Sequence, residues 1–114
     1  MAVDSEIQGD VAILRLSGRF IGGDDVRVFR DGMQSLIDAG HVRVVADLGA
    51  VHLITSSSIG VLISGLQQVR KNGGDLLIAG TGKQMKNVFM VMQLERVFRF
   101  FDSVEEAVTV FGGE

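Results

Sequence analysis

The chain has no cysteine, which excludes disulfides, thiolate metal sites and cysteine nucleophiles. It also has no tryptophan or tyrosine, so only phenylalanine remains as an aromatic that could stack on a nucleic-acid base. Eleven Lys and Arg residues are scattered among fourteen Asp and Glu, for a formal net charge of −3. Without a basic patch, the sequence argues against nucleic acid as a partner. Arg43, Asp47 and His52 interrupt the richest apolar segment, and no uncharged run approaches the roughly 18 residues that span a bilayer. Direct membrane insertion is therefore not expected. The first residues lack the basic, apolar and small-residue order of a signal peptide, and the expected location is the cytoplasm.

What is present suffices for one core. Two independent cores in 114 residues would leave each half near the lower size limit for unaided folding. A single domain over 1–114 is expected, with no linker, internal repeat or low-complexity tract. Hydrophobic residues make up 46% and aromatics 6%, so aliphatic packing must supply most of the stability.

Alternation from Ile7 to Leu16 reads as two short strands turned at Gly9-Asp10, with a third short strand over Ser17 to Ile21. Gly22-Gly23-Asp24-Asp25 breaks the chain. Val26, Phe29, Met33, Leu36 and Ile37 then recur at helical spacing as far as Ala39-Gly40. Val42, Val44, Val45 and Asp47-Leu48 read as a buried strand. Ile59, Leu62, Ile63, Leu66 and Val69 mark the inner face of a second helix that ends at Asn72-Gly73-Gly74. A short strand follows over Leu76 to Ala79. Met85, Val88, Phe89 and Met92 form the stripe of a third helix, on which Met90 and Val91 are also assigned to the core. Val97 to Phe101 reads as an edge strand. Asp102 and Ser103 precede Glu105 and Glu106 in capping-box registers, opening a last helix whose face is Val104, Ala107, Val108 and Phe111. The order βββαβαβαβα predicts an α/β fold, a mixed and mainly parallel sheet covered by about four helices.

Several catalytic patterns fail. A hydrolase elbow needs Gly-x-Ser-x-Gly, but Ser56-Ser57-Ser58-Ile59-Gly60 has serine in place of the first glycine, and His41 and His52 offer weak support for a triad. Gly80-Thr81-Gly82-Lys83-Gln84 resembles a phosphate-loop fragment, yet Leu77 and Gln84 occupy the positions of the first glycine and the magnesium-binding hydroxyl. Gly80 and Gly82 are read as turn residues, with nucleotide contact as a minor alternative. The histidines and carboxylates show no metal-ligand spacing. No catalytic residue, metal or cofactor is assigned.

One constellation survives. Thr55-Ser56-Ser57-Ser58 ends a β-type run and opens the second helix. The first amides of a helix lack intrahelical partners and lie at the positive end of its dipole, so negative charge added there is stabilised by roughly 0.3–1 kcal/mol. Hydroxyls at such a place serve either as caps or as phosphoacceptors.

Asp47-Leu48, Leu53-Ile54, the Thr55–Ser58 turn and Gly60-Val61-Leu62 together resemble a STAS domain, the fold of bacterial anti-sigma factor antagonists. The resemblance spans essentially the full chain. In that family the turn reads Asp-Ser-Ser-Gly, and its first serine is phosphorylated by a partner kinase that is also an anti-sigma factor. Aligned through Gly60-Val61, that serine is Ser56, with Ser57, Ser58 and Thr55 as alternative acceptors. The resemblance implies a protein that is a substrate and switch, not an enzyme. Unphosphorylated, it binds the anti-sigma factor and releases sigma; phosphorylation ends the contact and a phosphatase restores it. The implied docking surface joins Gly22, Gly23, Asp24 and Asp25 to Thr55, Ser56, Ser57 and Ser58.

Three residues depart from the family pattern: Thr55 replaces an acid, Ser58 a glycine, and Ile21 an acid found in many members. Asp24 or Asp25 could restore negative charge if the Gly22-Gly23 turn folds towards the serines. The departures also motivate an alternative, a non-switching STAS interaction subunit of a lipid-transport ATPase or signalling scaffold, with Ser56 only capping its helix.

Overall fold

The structure, a computed structural model, describes residues 1–112. The last two residues of the domain expected over 1–114 lie outside the described residues. Nine elements follow in chain order: β1 (Ala2–Gln8), β2 (Val11–Phe20), α1 (Asp24–Asp38), β3 (Arg43–Ile54), α2 (Ser56–Lys71), β4 (Asp75–Ala79), α3 (Gly82–Val91), β5 (Arg99–Phe101) and α4 (Val104–Gly112). The sheet is ordered β1-β2-β3-β4-β5. β1 and β2 form an antiparallel hairpin, and every later pair is parallel.

The third short strand expected at Ser17–Ile21 is not separate. β2 runs unbroken from Val11 to Phe20, and its register against β3 shifts between Arg15 and Ser17 and again between Gly18 and Arg19. Gly18, at φ 92, lets the strand bend there without leaving the sheet. The continuation has a second effect: Ser17, Gly18, Arg19 and Phe20 pair with Ala50, Val51, Leu53 and Ile54, which extends β3 well past Leu48. Five strands therefore stand where six were expected.

Side-chain alternation divides the core. Ala12, Leu14, Leu16, Val44, Ala46, Leu76 and Ile78 face α1, α2 and α3, while Val11, Ile13, Val45, Leu77 and Ala79 face α4. The few aromatics gather on the first side. Phe20 and Phe29 pack at 5.6 Å between centroids, and Phe89 meets Phe98 and Phe100 edge-on at 5.8 and 5.1 Å.

On α3 only Met85 and Phe89 are buried. Val88 and Met92 fall outside the expected stripe, and Met90 and Val91 are exposed rather than core, Val91 by 84%. The helix is ten residues long and meets the rest of the protein along that one narrow line, so its flanks stay open. It ends at Gln93, the only non-glycine with positive φ among the described residues, at 59°. There the Gln93 amide donates to Met90 O and the Leu94 amide to Phe89 O, both at 2.9 Å. This is a glycine position filled by glutamine. Gln93→Gly is expected to raise stability by about 0.5 kcal/mol, the strain relieved exceeding the entropy lost. A higher urea midpoint at unchanged slope would record it.

The α2–β4 connection closes tightly. The Gly74 amide donates to Val69 O at 2.8 Å, and the Asp75 amide to Val42 O at 3.0 Å. The backbone of Gly74 thus lies directly against the residue that leads into β3.

Candidate functional site

β3 delivers the chain to Thr55, whose extended backbone (φ −122°, ψ 169°) turns it into α2. Thr55 is the N-cap. Its Oγ1 accepts the Ser58 amide at 3.4 Å, while Ser58 Oγ accepts the Thr55 amide at 2.8 Å and donates to Thr55 O at 2.9 Å. This is a capping box built from two short hydroxyl residues instead of a hydroxyl and a glutamate. Thr55 and Ser58, two departures from the family turn, therefore act as one unit. The Thr-x-x-Ser spacing carried this signal, but a serine in the last place is weaker evidence of a box than Glu or Gln.

Ser58 is fully buried, the only buried polar residue among those described. Ser56 and Ser57, enclosed in sequence by the box, are exposed. Ser58→Ala would leave the Thr55 amide without its partner, and an expected loss of about 1–2 kcal/mol follows. Chemical denaturation would measure it.

The first turn of α2 contains no acidic residue, and Arg70 and Lys71 occupy the last turn. The basic pair complements the C-terminal end of the dipole, while the N-terminal end has no carboxylate to offset it. Ser56 stands at that positive end.

Thr55 Oγ1 also donates to Ile21 O at 3.4 Å, which joins the β2–α1 connection to the start of α2. The structure thus brings Gly22, Gly23, Asp24 and Asp25 to the same edge of the fold as the hydroxyl cluster. The acids themselves turn elsewhere. Asp25 accepts from the Met1 amino group at 3.0 Å and from the Ile21 amide at 3.2 Å; these two bonds hold its carboxyl below the usual aspartate value, the amino group having the larger effect. Asp24 pairs with Arg27 at 3.3 Å. Among the described residues, neither carboxylate is hydrogen-bonded to Thr55, Ser56, Ser57 or Ser58, so the loop approaches through its backbone and does not restore the missing acid.

His52 is exposed on β3 and lines a cleft of about 260 Å³ together with Leu53, Ile54, Thr81, Gln84 and Val88. No hydrogen bond joins His41 or His52 to the serines among the described residues. Groups of three or more potential metal ligands are likewise absent among them, and no helix is long and apolar enough to cross a membrane.

Comparison with known proteins places this geometry. The family model described as STAS domain matches residues 2–107. A Thermotoga maritima protein provisionally named an anti-sigma factor antagonist is 22% identical over 104 residues, covering 90% of this chain and 91% of its own. The structure of the anti-sigma factor antagonist SpoIIAA in its unphosphorylated form superposes with a TM-score of 0.78 at 19% identity, over 99% of this chain and all of the other. An anti-sigma factor antagonist from Mycobacterium paratuberculosis gives 0.84 at 17% identity, over 96% and 92% of the two chains. SpoIIAA of Bacillus is also known in its phosphorylated form, with a TM-score of 0.74. These structural likenesses establish the shared fold.

Proposed function

We propose, from the premise that the chain belongs to the STAS domain family, that it is an anti-sigma factor antagonist switched by phosphorylation of Ser56. The observation that supports this reading is the exposed hydroxyl of Ser56 at the first position of a sixteen-residue helix whose first turn lacks any acid. Unphosphorylated, the protein binds an anti-sigma factor that is also a serine kinase and so frees sigma. Phosphorylation ends that contact, and a phosphatase restores it. The protein is the substrate of both reactions.

A phosphate adds about −1.5 to −2 charge and strong acceptor oxygens. Within the free protein the helix N-terminus accommodates it. Against a partner surface fitted to an uncharged serine it introduces desolvation and repulsion. Burial and bonding set Ser58 aside as an acceptor, and Thr55 Oγ1 is engaged with Ile21 and Ser58. Ser57 shares the exposure of Ser56 and is the remaining alternative.

Site-resolved phosphopeptide mass spectrometry of the protein from its native cells, with a phosphatase-treated control, tests the reading. Phosphate on Ser56 is expected; phosphate on Ser57 would move the switch by one residue. A well-covered peptide that stays unmodified across growth and stress conditions would instead favour the non-switching subunit of a transporter or scaffold, with the neutral Thr55 cap as its structural support.

A further inference from the structure

Seven large apolar side chains are exposed among the described residues, and four of them, Val88, Met90, Val91 and Met92, fall within five consecutive positions at the end of α3. Leaving a valine or methionine in water forgoes about 1.5–3 kcal/mol of burial, and clustered exposure of this kind marks interaction surfaces. The spacing places Val88, Val91 and Met92 along one shoulder of the helix, and Lys83, Lys86 and Met90 along the neighbouring row. The apolar shoulder continues through Val88 into the cleft whose opposite wall is His52, Leu53 and Ile54, the residues that lead to Thr55.

Charge narrows the occupant. Between Thr81 and Phe101, Lys83, Lys86, Arg96 and Arg99 stand against Glu95 alone, a local +3 in a chain of −3 that leaves −6 on the remainder. Lys86 is held with its ammonium 6.0 Å from the centre of the Phe100 ring. We infer that this face docks an acidic amphipathic helix of a partner protein, its aliphatic stripe along Val88, Val91 and Met92 and its carboxylates on Lys83 and Lys86. An anionic bilayer would be repelled by the negative remainder of the chain and would require a broader apolar face than this shoulder. A second copy offers one acidic helix, α4, but it already buries its apolar side through Ala107 and Phe111. The surface lies beyond the Ser56 site, and the inference does not depend on the switch.

Fluorescence anisotropy can test it with two synthetic helical peptides of about 18 residues that share one leucine stripe, flanked by glutamates in one and by lysines in the other. The full chain is expected to bind the glutamate peptide at least about tenfold more tightly. That preference should fade at about 0.5 M salt. Binding should be lost in Val91→Glu, and the preference reversed in the double variant Lys83→Glu, Lys86→Glu. Equal affinity for the two peptides, or indifference to Val91→Glu, would overturn the inference. So would a wild-type dimer in sedimentation that Val91→Glu dissociates, which would assign the face to a second copy, or flotation with phosphatidylglycerol vesicles, which would assign it to lipid. Ser56 takes no part in these readings, so failure here leaves the phosphorylation proposal standing, and the reverse also holds.

Discussion

Ser56→Asp is expected to weaken binding to the cognate anti-sigma kinase about a hundredfold, and Ser56→Ala to leave it within about threefold. A hundredfold loss corresponds to about 2.7 kcal/mol, within reach of one carboxylate forced into a contact fitted to a hydroxyl. The same carboxylate should act oppositely on the isolated protein. Ser56 occupies the first turn of α2, which has no acid of its own, so Asp there gains about 0.3–1 kcal/mol from the helix dipole. Greater stability with poorer binding is a pairing that misfolding cannot produce. Isothermal titration and thermal melting on the same samples would measure both. Equal binding by the two variants would remove Ser56 as the switch.

Gly74→Ala is the substitution with the largest expected cost in stability. A Cβ at that position would lie 1.9 Å from Val42 O, 2.5 Å from Val42 C and 2.7 Å from Val42 Cβ. Two of these atoms are backbone, and no rotamer change removes them. Relief requires moving the α2–β4 connection away from the entry to β3, with loss of the Asp75 amide bond to Val42 O. Overpacking of this kind costs about 3 kcal/mol or more, a fall of roughly 12 °C in Tm for a domain of this size. Gly60→Ala is the internal control. Nothing lies within 4 Å of a Cβ at Gly60, and the site is inside α2, so helix propensity predicts a gain of about 0.5–1 kcal/mol. A Gly74→Ala protein as stable as the parent would mean that the close approach to Val42 is not maintained in solution.

Periodicity revealed most of the architecture because α1, α2 and α4 each bury a continuous stripe, and such stripes can be read from spacing alone. It divided β2 at Ser17 because a bulged strand interrupts its own alternation. The pairing of Gly18 with Val51 that keeps the strand whole is a long-range contact. The limit of β3 was hidden for the same reason: Gly49, Ala50 and His52 have little strand character, and it is β2 that holds them in line. On α3, hydropathy placed Met90 and Val91 inside because composition registers that a side chain is apolar but not whether another element covers it. At the site, the helix start and its hydroxyls were legible. The direction of Asp24 and Asp25 was not, since it depends on Arg27, the Ile21 amide and the Met1 amino group competing for them.

The reciprocal bonds between Thr55 and Ser58 span the two exposed serines without using either of them. The chain therefore has the same anchor points on both sides of residue 56 whatever that residue carries. A modification enclosed in this way need not propagate as strain through α2 or the sheet. The information it adds stays on the outside of the molecule, to be read by whatever touches it, and the scaffold beneath is spared from refolding each time the message changes.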